Sequence, residues 1–203
     1  IAADPAGSVG KRFVSLAGDA DARIVVLATG YAKSGEAKAE AKAIASALQE
    51  GVSAPVEWLV VDEKTDAATA AAAIGGATGI FLTAPDRSLV VAALAGQQAV
   101  TDAVRAAWED GATLLADNAA AAVLGSRYIA DPISPDVEAG AMEDMLVNGV
   151  TVADGLGWVA GLSVQPRLLP DQNWGQALRL AEASSVPAVA IDVDTALEVL
   201  AGS

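Results

Sequence analysis

The sequence predicts an α/β fold in which helices cover both faces of a mostly parallel sheet. Short runs of β-branched and aliphatic residues alternate with Ala-rich helical segments along most of the 203 residues. The runs are nearly continuous in their apolar character, which is typical of strands buried on both faces. Because parallel strands need crossover helices, this alternation predicts a three-layer α/β/α domain.

The elements are clearest in the first half of the chain. The strands are predicted over residues 23–29, 56–61, 79–83 and 113–116, and the helices over 6–17, 34–50, 65–75, 87–95, 97–110 and 119–126. Residues 131–149 interrupt the alternation and are interpreted as a surface excursion. Short strands at 150–152, 161–164 and 188–191 and a helix at 174–184 follow. With no repeat and no linker, residues 1–203 are predicted to form a single domain.

Charge restricts the partners of the protein. The chain carries 26 acidic and 12 basic side chains, which gives a net charge of −14. Such a surface repels nucleic acids and anionic membranes, and no apolar run approaches the roughly 20 residues that span a bilayer. The composition therefore predicts a soluble protein with neither kind of partner, and it is compatible with a peptide or cationic ligand. It leaves open whether the protein is cytoplasmic or exported.

The chain contains no Cys and no His. It therefore has no thiolate nucleophile, no disulfide and no histidine base for a Ser-His-acid triad. Asp192 and Asp194 alternate at a predicted strand end, but without further clustered ligands they do not predict a metal site. No metal and no cofactor are expected.

Ligands of open parallel sheets bind at the carboxyl ends of the strands. Five residues at such positions are candidate ligand-binding residues: Thr83, Asp86, Asp117, Asn118 and Arg167. Structural roles compete with this interpretation. Asp86 and Asn118 are both good N-cap residues for the helices that follow them, and Arg167 is compatible with an exposed loop position.

Five segments resemble, in the same order, motifs of the cyanophycinase and dipeptidase E group of serine peptidases. The segments are AGDADARIVVLATGY at 17–31, GIFLTAPDR at 79–87, LLADNAAAAVLG at 114–125, GLGWVAGLSV at 155–164 and AVAIDVDTA at 188–196. The resemblance as a whole extends over nearly the entire chain, from about residue 2 to residue 198. The resemblance implies the class I glutamine amidotransferase-like architecture, with a flavodoxin-like, mostly parallel sheet.

Transferred to this sequence, the family's catalytic residues are replaced. Its nucleophilic serine falls on Asn118 and its catalytic histidine on Arg167. A carboxamide does not act as a nucleophile in acyl transfer, and a guanidinium stays protonated at working pH. The two glycines of the family's oxyanion region fall on Ala84 and Pro85, and proline has no N–H to donate.

The resemblance therefore implies a degenerate serine peptidase. The first functional hypothesis is a non-catalytic, cyanophycinase-like domain that acts in ligand binding or in protein assembly, as a homo- or hetero-oligomer. The alternative is an active serine-type hydrolase of the cyanophycinase class that cleaves acidic or Asp-Arg peptides.

The ends of the chain add one further expectation. The family begins with a strand that precedes the position of Ile1, so the first strand is expected to be missing from this chain. The chain is thus interpreted as a possible segment of a longer protein, or as a domain that takes a strand from another chain. An open sheet edge exposes unpaired backbone groups, which favours assembly.

Overall fold

The computed structural model describes residues 4–130, 150–169 and 174–200. Its central sheet has four parallel strands in the order β2-β1-β3-β4. These strands are β1 (Ile24–Thr29), β2 (Glu57–Val61), β3 (Gly79–Ala84) and β4 (Thr113–Asp117). The order is that of the flavodoxin-like sheet, in which the chain moves first to one side of β1 and then to the other.

Helices connect and cover these strands. They are α1 (Ser8–Ala17), α2 (Ser34–Gln49), α3 (Ala67–Ile74), α4 (Arg87–Gly96), α5 (Gln98–Glu109) and α6 (Asn118–Leu124). None of the described helices is both long and apolar enough to cross a membrane.

Alternate residues of each strand face opposite helical layers. In β1, Val26 and Ala28 pack with α1 and α2, whereas Val25 and Leu27 pack with the layer of α3 to α6. All four side chains are at most 3% exposed. Burial on both faces explains the continuous apolar runs of the sequence and establishes the three-layer architecture.

The second part of the chain forms two small sheets. Strands β5 (Arg127–Ile129) and β6 (Val152–Asp154) pair antiparallel, and β7 (Ser163–Gln165) and β8 (Ala188–Ala190) pair parallel. Helix α7 (Trp174–Ala183) packs on β7 and β8. A buried Arg87 guanidinium joins this part to α4, since it donates hydrogen bonds to the Ile129 carbonyl (3.2 Å) and the Gln176 side chain (3.0 Å).

The predicted fold class is confirmed, and most elements agree with their predicted bounds within two residues. Strand β5 was not predicted. The N-cap prediction for Asp86 is confirmed, because its carboxylate accepts a 2.9 Å hydrogen bond from the Leu89 N–H. The prediction for Asn118 is wrong, because α6 begins at Asn118 itself and Asp117 occupies the N-cap position. The predicted excursion at 131–149 lies outside the described residues.

Candidate functional site

Strand β4 turns directly into α6 at Asn118, and the backbone there is strained. Asn118 has a φ of 49°, in the left-handed region that non-glycine residues rarely adopt. Its backbone is also bridged to Ala84, at the end of β3, so the neighbouring strand supports this turn. Strained residues of this kind persist where the surrounding structure holds them in place, and they are frequent at functional sites.

A cavity of about 170 Å³ opens beside this turn, between β4 and the β7-β8 pair. We call it the β4–β7 groove. Its apolar lining comes mainly from β4, α6, the segment 158–164 and the tail after β8, with one residue each from α1 and α5. The apolar lining residues include Val9, Trp108, Leu114, Ala116, Ala121, Leu124, Trp158, Val159, Leu162, Val164, Ile191, Val193, Leu197 and Val199.

Polar side chains line one end of the groove. Asp117 is the last residue of β4 and Asn118 follows it, Arg167 follows β7, and Asp192 and Asp194 follow β8. Arg167 and Asp194 have φ values of 58° and 56°, so three strained non-glycine residues, with Asn118, lie on this one cavity. The structure thus brings together residues that are up to 77 positions apart in the sequence.

Two of the five predicted site residues do not line the groove. Thr83 is 2% exposed at the end of β3 and pairs in register with Asp117, while the Asp86 side chain caps α4. Asp117, Asn118 and Arg167 do line it. Asp192 and Asp194, which the sequence suggests only as possible metal ligands, also line the groove. Within the described residues, no cluster of three or more acidic side chains is arranged to hold a metal ion.

Tyr31 is a further residue near this end of the sheet that the sequence analysis did not identify. It follows β1 and is half-buried. Burial raises the pKa of the Tyr31 phenol to about 12, and the charges of Glu40 and Asp117 act in the same direction, whereas a hydrogen bond with the Thr83 side chain opposes the rise. The phenol is therefore neutral at physiological pH and links the exits of β1, β3 and β4.

The chemistry of the groove follows from the side chains at the strand exits that line it. Asn118 places a carboxamide at the strand-to-helix turn, and Arg167 contributes a guanidinium that stays protonated at physiological pH. Pro85, which follows the end of β3, cannot donate a backbone N–H. The groove can therefore bind through apolar contact, strand edges and charge.

Comparisons with solved structures find the same fold in peptidases. A peptidase from an acI-B1 Actinobacterium is similar over 94% of this chain and 75% of its own, with a TM-score of 0.66 and 14% identity. A candidate peptidase E protein from Listeria monocytogenes EGD-e is similar over 89% of this chain and 83% of its own, with a TM-score of 0.55 and 14% identity. No protein-family model and no curated protein matches the sequence. The structural similarity relates the chain to peptidase E-like proteins at the level of the fold.

Proposed function

We propose that this chain is a non-catalytic domain with a peptidase-like fold, which acts by binding a partner segment in the β4–β7 groove. The observation that carries the proposal is Asn118. The chain retains the strained strand-to-helix turn, with a φ of 49°, but places a carboxamide on it. A geometry that positions a nucleophile is thus present without a nucleophile.

The groove also offers an open strand edge. Among the described residues, β4 pairs only with β3, and β7 pairs only with β8. Both strands line the same cavity. Strand edges readily pair with an added strand, in which main-chain hydrogen bonds supply affinity. Binding of an extended segment, and assembly through it, therefore account for the groove without requiring catalysis.

The competing function is a serine-type hydrolase that acts on acidic or Asp-Arg peptides. Support for it comes from the two structural neighbours, which are described as a peptidase and a candidate peptidase E protein. Of the serines, Ser163 is fully buried, and its hydroxyl lies 3.4 Å from that of Ser184 and accepts a hydrogen bond from the Arg127 N–H. It lies in strand β7 rather than at a strand-to-helix turn, which favours a structural role.

One experiment separates the two functions. The purified chain should release no product from β-Asp-Arg polymers or Asp-X dipeptides, and a fluorophosphonate should leave its intact mass unchanged, because the turn holds no activated hydroxyl. An active serine peptidase is assayed in parallel as the positive control.

Activity alone would not refute the proposal, since a contaminating peptidase could produce it. Asn118→Ala and Arg167→Ala are therefore assayed beside the unchanged chain. Hydrolysis that both substitutions abolish, in folded protein, would show that the groove is an active site and would contradict the proposed function.

A further inference from the structure

We infer that the partner of the β4–β7 groove is an extended peptide segment that runs parallel to β4, consists of about five consecutive apolar residues, and carries basic residues at its carboxyl end. This inference rests on the proposed function and adds the chemistry and direction of the partner. Three features of the groove carry it: the direction of its strands, the apolar lining on both of its faces, and the position of its charges.

The direction follows from the strand ends. Asn118 directly follows β4, Arg167 and Asp192 lie two positions after the ends of β7 and β8, and all three line the groove. Helix α6 runs back along β4 and β3, and just after its end the Ser126 N–H donates a hydrogen bond to the Leu162 carbonyl that precedes β7. Strand β7 therefore begins near the amino end of β4 and runs in the same direction, and β8 is parallel to β7. The central sheet is also parallel throughout. A segment that pairs in parallel with β4 on one side can thus pair in parallel with β7 on the other, and its own carboxyl end then lies at the polar end of the groove.

The apolar character follows from the two faces of the groove. Val9 belongs to α1, which packs on one face of the sheet, and the tail residues Leu197 and Val199 flank Glu198, which pairs with Arg12 of α1. Ala121 and Leu124 belong to α6, which packs on the opposite face. A strand between two apolar layers has no solvent face and is apolar at consecutive positions. The five residues of β4 correspond to a length of about 17 Å at roughly 3.3 Å per residue, which sets the length of the segment.

The charges that line the groove predict that the carboxyl end of the bound segment is basic. Three carboxylates, those of Asp117, Asp192 and Asp194, line the polar end together with one guanidinium, that of Arg167. The local charge is negative, and the whole chain adds to it with a net charge of −14. A segment whose carboxyl end carries Lys or Arg is attracted to the carboxylates. A segment with an acidic carboxyl end is repelled, and a segment with its basic residues at the amino end places them at the apolar end of the groove, away from the carboxylates.

The test uses two synthetic peptides of identical composition and opposite order, acetyl-STVVIVVGRK-amide and acetyl-KRGVVIVVTS-amide. Both are titrated into the 203-residue chain by calorimetry and by tryptophan emission. Emission reports on the groove because Trp108 and Trp158 line it. We expect the first peptide to bind at least about five-fold more tightly, since only its parallel alignment brings the basic end to the carboxylates. Replacing the central isoleucine of the first peptide by proline should abolish binding, because proline disrupts strand pairing.

Matched variants of the protein locate the effect. The double variant Asp192→Asn with Asp194→Asn should bind the first peptide about three- to ten-fold more weakly, and its affinity for the reversed peptide should be nearly unchanged. The control pair is Asp19→Asn with Asp21→Asn, two exposed carboxylates that do not line the groove, and it should change neither affinity. Melting curves establish that each variant is folded.

Equal affinities for the two peptides, equal binding of the proline peptide, or no binding at millimolar peptide would each overturn the inference. None of these results bears on hydrolysis. Conversely, labelling of the chain by a fluorophosphonate would contradict the proposed function without altering the peptide affinities, so the two failures are distinguishable.

Discussion

Asn118 combines a left-handed backbone conformation with a position at the strand-to-helix turn. At φ 49° an L-residue other than Asn, Asp or Gly is disfavoured, and β-branched residues most of all. Asparagine tolerates this conformation because its short polar side chain can hydrogen-bond locally. The strain then has a measurable effect on stability.

We expect Asn118→Val to lower the free energy of unfolding by about 1–2 kcal/mol, and Asn118→Gly to change it by less than about 0.5 kcal/mol, since only valine opposes the left-handed conformation. Urea denaturation measures both. Gln98→Val is the control, because Gln98 also opens a helix but lies outside the positive-φ residues. Equal losses for Asn118→Val and Gln98→Val would show that the turn is not strained.

Tyr31 provides a prediction on pH. Its pKa is raised from the usual 10 to about 12, mainly by burial, so the folded state holds the phenolic proton more tightly than the unfolded state. The resulting stabilisation is complete below pH 10 and is lost as the pH rises through 12. In Tyr31→Phe the loss of unfolding free energy that arises from ionisation of this phenol between pH 10 and 12 should disappear. The check is to compare unfolding free energies of the two proteins between pH 9 and 12, with absorbance at 295 nm to follow ionisation; a Tyr31 that titrates near 10 would contradict the burial argument.

At the scale of elements, the sequence predicts strands better where the helices cover both faces. The continuous apolar runs at β1 and β3 identify both strands, whereas β5 is only three residues long and begins with Arg127. The candidate site is predicted in part for a related reason. Strand exits indicate Asp117 and Asn118, but the φ of Arg167 and the approach of Asp194 to the same groove depend on tertiary packing.

Helix α1 packs closely on β3, and this contact depends on a glycine. A Cβ built on Gly79 would lie 2.8 Å from the Ala17 Cβ and 3.0 Å from Phe13 Cζ, both of which belong to α1. We expect Gly79→Ala to destabilise the protein by about 1–3 kcal/mol through overpacking. Gly35→Ala in α2 meets nothing within 4 Å and should instead be neutral or stabilising by about 0.5 kcal/mol. Thermal unfolding of both variants is the measurement, and a neutral Gly79→Ala would show that α1 can move away from the sheet.

At the scale of the whole molecule, the open edge and the net charge act in opposite directions. The β4–β7 groove joins a strand edge to exposed apolar side chains, among them Leu197 (43% exposed) and Val199 (49% exposed). Such surfaces favour association. The net charge of −14 opposes the approach of two copies at low ionic strength, because the repulsion then extends over tens of ångströms.

We therefore expect the isolated chain to self-associate, and to do so more strongly as salt rises from 20 to 300 mM, since screening removes the repulsion and leaves the apolar contact. Sedimentation velocity over 5–200 µM protein measures this. Leu197→Glu should shift the population towards monomer because it places a charge in the groove, whereas Leu16→Glu should not, because Leu16 is equally exposed (41%) but does not line the groove. The acetyl-STVVIVVGRK-amide peptide should also favour the monomer by competing for the same edge. A compact monomer at every concentration and salt, or equal effects of the two leucine variants, would show that the groove does not drive assembly.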